Sequence, residues 1–295
     1  MNGPIRIDAQ RVRREADTVP PSRPDGESRI HNARGDAATE QDMSIDSRLG
    51  FFTKTGFTPD PAVLEANHIV AFDSRDLRSR PFNLMRTRFM KQLELQKMRL
   101  IGITSPAPTA GKSLLSINLA AAISRLKDVP VILADLDLRR GSVAETLGMP
   151  FENGITDYLD GEAVRIEDAL VGIDGVPLAI LPSRVTAGDS SVLLSGDRYS
   201  HLMAWLRKQA QTAIVLVDLP PVFANDDAMI LMESLDGYLM VVESGKNTAR
   251  QVKDAMELLK PAMPLGTVLN RYKGGMLDAY GYGASSAYGR YYNRS

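Results

Sequence analysis

Gly111, Lys112 and Ser113 stand after the apolar run RLIGIT and the turn SPAPTA, and the stretch KSLLSINLA follows from Lys112. A strand, a tight turn, Gly-Lys-Ser and a helix is the context that cradles phosphate. Successive backbone N–H groups point at phosphate oxygens, and the helix dipole favours their negative charge. The turn residues Thr109, Ala110 and Gly111 and the first helical residues Lys112, Ser113 and Leu114 would line the cradle. Gly111 allows close backbone approach, Lys112 can reach β- and γ-phosphates, and the Ser113 hydroxyl can ligate magnesium.

Two acidic stations follow. Asp135 and Asp137 lie two apart in VILADLDLRR, so an extended chain projects both from one face. Asp218 ends TAIVLVD and runs into Leu219-Pro220-Pro221, where the prolines stiffen the exit. Acids at strand tips can hold a magnesium–water shell or accept a proton from an attacking hydroxyl. Each feature also has a plainer reading: an exposed lysine at a helix start, a solvated turn with Arg139 and Arg140 as surface partners, an acid capping a loop. Asp226 and Asp227 read as helix N-caps.

The elements that must position these residues are legible as alternating patterns. RLIGIT, VPVILAD, PLAILP, TAIVLVD, GYLMVVE and LGTVLN are short runs with little polar interruption, as a parallel sheet covered on both faces requires. Between them lie amphipathic stretches over 112–125, 141–147, 198–209, 226–233 and 248–259. The β-α-β-α order predicts an α/β fold, doubly wound around a mostly parallel sheet, with right-handed crossovers. Residues 98–272 would form this phosphate-loop domain, and strand carboxyl ends are where such sheets bind ligands.

Outside that domain the patterns change. The first 50 residues hold eight Arg, no Lys and nine acids without a sustained apolar period, so residues 1–60 are expected to form a disordered arm. Residues 61–97 read as a helical segment, with Pro81 near a helix start and Leu84, Met85, Phe89 and Leu93 along one face. Residues 273–295 read as a flexible tail rich in Gly, Ser and Tyr. Five of the nine tyrosines (Tyr280, Tyr282, Tyr288, Tyr291 and Tyr292) fall in the last sixteen residues.

Composition narrows the function classes. The chain has 295 residues, with 35 Lys+Arg against 36 Asp+Glu and a net charge of −1, which gives no support for charge-driven nucleic-acid binding. The absence of cysteine excludes disulfides and thiolate metal sites, and three scattered histidines make a histidine-built site unpromising. No apolar run approaches a bilayer span, and the first residues carry no apolar signal core. The expectation is a cytoplasmic protein whose link to a membrane comes through a partner.

With the three stations in order, the chain resembles the bacterial tyrosine kinases (BY-kinases), the capsule and exopolysaccharide autokinases related to phosphate-loop partition ATPases. SPAPTAGKS is similar to that family's Walker A turn, ADLDLRR to its D-x-D-x-R motif, and VLVDLPPV to its D-x-P-P Walker B. GITDYLDGE and Asp227-Ala228 match further family stretches. The resemblance implies that Lys112 and Ser113 hold ATP phosphates and Mg2+. It also implies that Asp135 coordinates metal and helps activate the acceptor hydroxyl, that Asp137 is a candidate base, and that Asp218 orders the metal shell. Asn270, in VLNR, lies where related ATPases contact adenine, or is simply a polar strand end. The five tail tyrosines would be phosphoacceptors, modified in trans between subunits. Implied partners are a membrane adaptor of the polysaccharide co-polymerase type, further copies of the chain and a cognate tyrosine phosphatase; none is a nucleic acid. The location would be peripheral to the inner membrane through the adaptor.

Two other readings stand beside this one. The usual Gly-Glu before Gly-Lys is Thr109-Ala110, and of the ring-forming Glu-x-x-Arg-x-x-Arg positions, here Arg80, Asn83 and Arg86, only the last agrees. A non-catalytic nucleotide-binding scaffold would tolerate both changes. A partition-type ATPase switch usually carries an early loop lysine, and that position here is Ala107.

Overall fold

The computed structural model of the protein describes residues 56–272, except 127, 128, 163 and 187. Every apolar run singled out above forms a strand: Leu100–Thr104 (β2), Val131–Asp135 (β3), Leu178–Leu181 (β5), Ile214–Asp218 (β6), Gly237–Glu243 (β7) and Met263–Asn270 (β8). Two short strands join them at one edge, Gly56–Phe57 (β1) and Val171–Ile173 (β4). Among the described residues these form one sheet in the order β1-β4-β5-β3-β6-β2-β7-β8. All neighbouring pairs are parallel except β4 with β5. The doubly wound, mostly parallel sheet is therefore as expected, with one antiparallel pairing added.

Alternation along each central strand divides the core into two layers. Ile101, Ile103, Leu133, Leu216 and Val241 face one side; Leu100, Ile132, Ala134, Val215, Val217 and Met240 face the other. The first side is covered by Pro61–Ala66 (α1), Arg80–Gln96 (α2), Lys112–Ser124 (α3) and Ser142–Leu147 (α4). The second is covered by Ile155–Leu159 (α5), Ser190–Leu193 (α6), Asp197–Gln209 (α7), Asp227–Met232 (α8) and Ala249–Leu258 (α9). In α7 the inward residues Tyr199, Leu202, Met203 and Leu206 follow the spacing of one helical face. A capping box of Thr248 and Gln251 starts α9.

α3, which carries Lys112 and Ser113, is buried along nearly its whole length. Its apolar composition all round suits a helix enclosed on every side. The one carboxamide inside it is fully matched. Asn118 accepts from the backbone N–H of Val70 (2.9 Å) and Ala71 (3.0 Å) and donates to the carbonyls of His68 and Leu114. It thereby fastens the segment after α1 to the phosphate-loop helix.

Several expectations need correction. Gly56–Phe57 pair with Gly172 and Ile173 at the sheet edge, so the segment read as a disordered arm to residue 60 includes an ordered strand and the Asp60 cap of α1. A two-residue strand has no periodicity to detect. In α2, Phe89 and Leu93 are buried and Met85 packs on the core, but Leu84 is exposed, because the turn of the helix carries it past the seam. The side chains at the ring-motif positions include two turned onto their own domain: Asn83 accepts from Arg125, and Arg86 donates to the Ala122 carbonyl (3.1 Å).

Candidate nucleotide and phosphoryl-transfer site

Parallel strands end together, so Thr104, Asp135, Asp218, Glu243 and Asn270 reach one edge of the sheet. Asp135 and Asp218 are partners in the β3–β6 register, which puts the two acidic stations side by side. The loop between β2 and α3 lies over them. Ser113 donates from Oγ to Asp218 Oδ2 at 2.6 Å, and Ser116, one helical turn on, donates to Asp218 Oδ1 at 2.8 Å. Lys112 Nζ lies 3.4 Å from Asp137 Oδ2, with both side chains buried. The main chain around Asp135 turns inward too: the N–H groups of Asp137 (3.2 Å) and Val143 (3.0 Å) each donate to one of its carboxyl oxygens.

Thus Lys112, Ser113, Asp135, Asp137 and Asp218, read separately along 107 residues of chain, meet in one hydrogen-bonded cluster. Three carboxyls and one ammonium are buried there. Burial, and then the neighbouring Asp218 charge, holds the Asp135 carboxyl well above the usual carboxylate range. Burial raises Asp218 as well, against the opposing pull of Lys112 and the two serine hydroxyls. The cluster is short of positive charge, so a cation delivered to it would be favoured.

The turn itself has two left-handed residues. Gly111 sits at φ +88°, and a Cβ there would lie 2.3 Å from Asn270 Nδ2. Thr109 takes φ +63° although it is β-branched, a conformation that costs about 1–3 kcal/mol. In the G-x-x-x-x-G-K-S pattern the first glycine falls at Pro106, so the left-handed turn at Thr109 is made without glycine. Ala110 is buried against the core, and Leu114 packs partly on it. Asn270 donates from its amide to the Ala110 carbonyl (2.8 Å), and its carboxamide oxygen accepts from the Arg271 N–H (2.9 Å). In this form its side chain supports the loop. The tail tyrosines Tyr280, Tyr282, Tyr288, Tyr291 and Tyr292 lie outside the described residues.

The sequence reading missed three features. Ser116 shares the Ser113 face of α3 at a spacing of three, which was a usable signal. Ser142, at the start of α4, donates to Ser113 Oγ at 2.7 Å, and nothing in its local sequence marks it. The third corrects the capping assignment: Asp226 makes no side-chain cap bond, and Asp227 is buried, accepting from Ser190 Oγ (2.6 Å) and from Arg139 Nε (3.4 Å). Tertiary partners therefore outcompete the local cap, and they tie the loop after β3 to α8.

A doubly wound sheet with a Gly-Lys-Ser turn over paired strand-end carboxyls defines the class of phosphate-loop nucleotide-binding domains. No protein-family model matches the chain. The putative tyrosine-protein kinase EpsB of Ralstonia nicotianae is 32% identical over 213 residues, covering 70% of this chain and 27% of that protein. Tyrosine-protein kinase YwqD of Bacillus subtilis is 28% identical over 226 residues, covering 74% of this chain and 92% of that protein. The solved kinase domain of the Escherichia coli tyrosine kinase ETK matches with a TM-score of 0.63 and 28% identity, over 73% of this chain and 84% of that domain. The chain is thus a relative of the bacterial tyrosine kinases and carries the fold of their kinase domains. It spans about a quarter of the length of EpsB. Among the described residues, no helix is long and apolar enough to cross a membrane.

Proposed function

We propose that the protein is an ATP- and Mg2+-dependent tyrosine autokinase that phosphorylates the tail tyrosines of a neighbouring copy. The observation that carries this reading is the clustering of Lys112, Ser113, Asp135, Asp137 and Asp218 at the carboxyl edge of the sheet. The donor set suits a hard divalent ion: a serine hydroxyl and carboxylates, in a pocket with more acid than base. No group of three or more His, Asp or Glu among the described residues could hold an ion unaided. That suits Mg2+, which keeps waters and substrate phosphates in its shell. Ser113, Asp135 and Asp218 would hold it, and bound there it would neutralise charge on the phosphates.

The chain's own residues supply the rest. Backbone N–H groups from Thr109 to Leu114 bind phosphate oxygens. Lys112 leaves Asp137 for the β- and γ-phosphates, and that move frees the Asp137 carboxylate. A tyrosine hydroxyl brought to this edge gives its proton to the freed Asp137 as its oxygen bonds to the γ-phosphorus; the bond from that phosphorus to the bridging oxygen breaks, and ADP leaves. Asn270 steadies the phosphate-binding loop through the Ala110 carbonyl, and by the family resemblance it would meet the adenine.

By analogy with the named tyrosine kinases, we infer a role in exopolysaccharide or capsule production, activation by a membrane adaptor, and reversal by a tyrosine phosphatase. The direct test is incubation with Mg2+ and ATP, with and without a candidate adaptor segment, followed by phosphotyrosine mapping. Label on Tyr280, Tyr282, Tyr288, Tyr291 or Tyr292 in the wild type and none in Lys112→Met is the expected result. Release of phosphate to water alone would assign the site to an ATPase switch, and tight binding without turnover to a scaffold.

A further inference from the structure

Ser113 has one hydroxyl proton and two lone pairs. In the 2.6 Å contact Ser113 donates to Asp218, which consumes its one proton. The 2.7 Å contact with Ser142 must then run the other way, Ser142 donating to Ser113. The result is a directed chain, Ser142 to Ser113 to Asp218, that fills one Ser113 lone pair and leaves the second open. Chains of this kind strengthen one another where water is scarce.

The backbone holds Ser142 to this task. Gly141 turns at φ +49°, and a Cβ there would lie 2.8 Å from the Ser183 carbonyl, so this turn suits glycine alone. The N–H groups of Arg140 (2.9 Å) and Gly141 (2.7 Å) both donate to the Asp137 carbonyl, and the next residue, Val143, donates to Asp135. Ser142 is therefore suspended between two anchored neighbours. On its far side Thr146 donates to the Ser142 carbonyl (2.6 Å), closing the first turn of α4.

We propose that Ser142 is a positioning residue for the divalent ion: its hydroxyl fills one Ser113 lone pair and helps hold Oγ in the rotamer that meets Asp218, leaving the second lone pair for the metal. The inference rests on the nucleotide-site reading above. Without Ser142, Ser113 Oγ loses one of the two partners that hold and polarise it, so metal-dependent binding weakens while the phosphate cradle is untouched.

Calorimetry on the full chain separates the two ideas. ADP is titrated with saturating Mg2+ and again in EDTA, for wild type, Ser142→Ala and Ser142→Thr. The expected result is a loss of about fivefold in Mg-ADP affinity for Ser142→Ala, the magnitude of one ordinary hydrogen bond. Its affinity for ADP in EDTA stays at the wild-type value, a higher Mg2+ concentration is needed for half-saturation, and Ser142→Thr restores wild-type behaviour. Equal losses with and without Mg2+, or an unchanged Mg2+ requirement in Ser142→Ala, overturn the role of Ser142 while leaving the nucleotide site standing. Failure of the wild type to bind Mg-ADP overturns the site itself.

Discussion

Two clusters of opposite charge in this molecule differ in one respect, their access to water. At the surface near α1, Arg78 pairs with Glu65 at 2.6 Å and with Asp76 at 2.7 Å, and Arg75 pairs with Asp73 at 3.2 Å. At the sheet edge, Lys112 faces Asp137 while Asp135 and Asp218 crowd beside it. In the surface cluster the arginine partners hold Glu65, Asp73 and Asp76 below the usual carboxylate range. In the buried cluster, desolvation holds Asp135 and Asp218 above it. The surface acids keep water and gain a partner; the buried acids lose water and gain each other. The first arrangement is self-sufficient, and the second is electrostatically unfinished without a further cation.

The comparison can be broken most forcefully at Lys112. Lys112→Met removes, among the described residues, the one basic partner of Asp137 in the acid cluster, and we expect a loss of about 3 kcal/mol in urea unfolding, since breaking a buried pair strands a charge. Mg-nucleotide affinity should fall roughly 100-fold by calorimetry, the scale of lost charge-assisted contacts. A stable variant with wild-type affinity would show that the buried cluster is as self-sufficient as the surface one.

The next effect has the opposite sign. Asp218→Asn removes one buried charge and keeps acceptors and donors that the Ser113 and Ser116 hydroxyls can turn to meet. We expect it to stabilise the nucleotide-free protein by about 1–2 kcal/mol at pH 7.5. Burial raises the folded carboxyl above its unfolded value of about 3.9. Between those two values the native state keeps a proton that the unfolded chain has released, so this group subtracts stability as pH rises through that window. The advantage of Asn should therefore shrink as pH is lowered toward 4. A gap that widens on acidification would refute the assignment of burial as the dominant cause.

A smaller gain is expected from Thr109→Gly, which removes a β-branched side chain from a left-handed position, at about 1 kcal/mol in the same unfolding assay. The smallest effect belongs to the surface cluster. Arg78→Ala should leave the urea midpoint unchanged within error, at low salt and at 0.5 M salt, because exposed pairs are screened and solvated. A clear shift there would place the surface pairs among the structural supports of α1.

Legibility in the sequence followed the length and regularity of each pattern. The six apolar runs all became strands; five are buried throughout, as a sheet covered on both faces demands, while β8 at the sheet edge is not. The short strands Gly56–Phe57 and Val171–Ile173 carry no such signature, and the antiparallel turn between β4 and β5 has no counterpart in the β-α-β-α pattern. In the site, Lys112, Ser113 and the strand-end acids were readable because each sits at a boundary between elements. Asp227 was misread, since a helix start and a buried anchor for Arg139 and Ser190 look alike in one dimension. Ser142 was invisible for the same reason.

The order of residues by itself determined the alternation of strands and helices, the phosphate-binding turn and the family to which its motifs point. Those follow from local periodicity and from residue types at element ends, which adjacent residues encode. Only the tertiary structure decided that Asp135 stands beside Asp218, that Lys112 rests on Asp137, and that Ser142 reaches Ser113. Such pairings join residues 25 to 105 positions apart or cross between strands and helices. They are set by sheet register and crossover handedness, which bring distant tips to one edge and remove the water from between them.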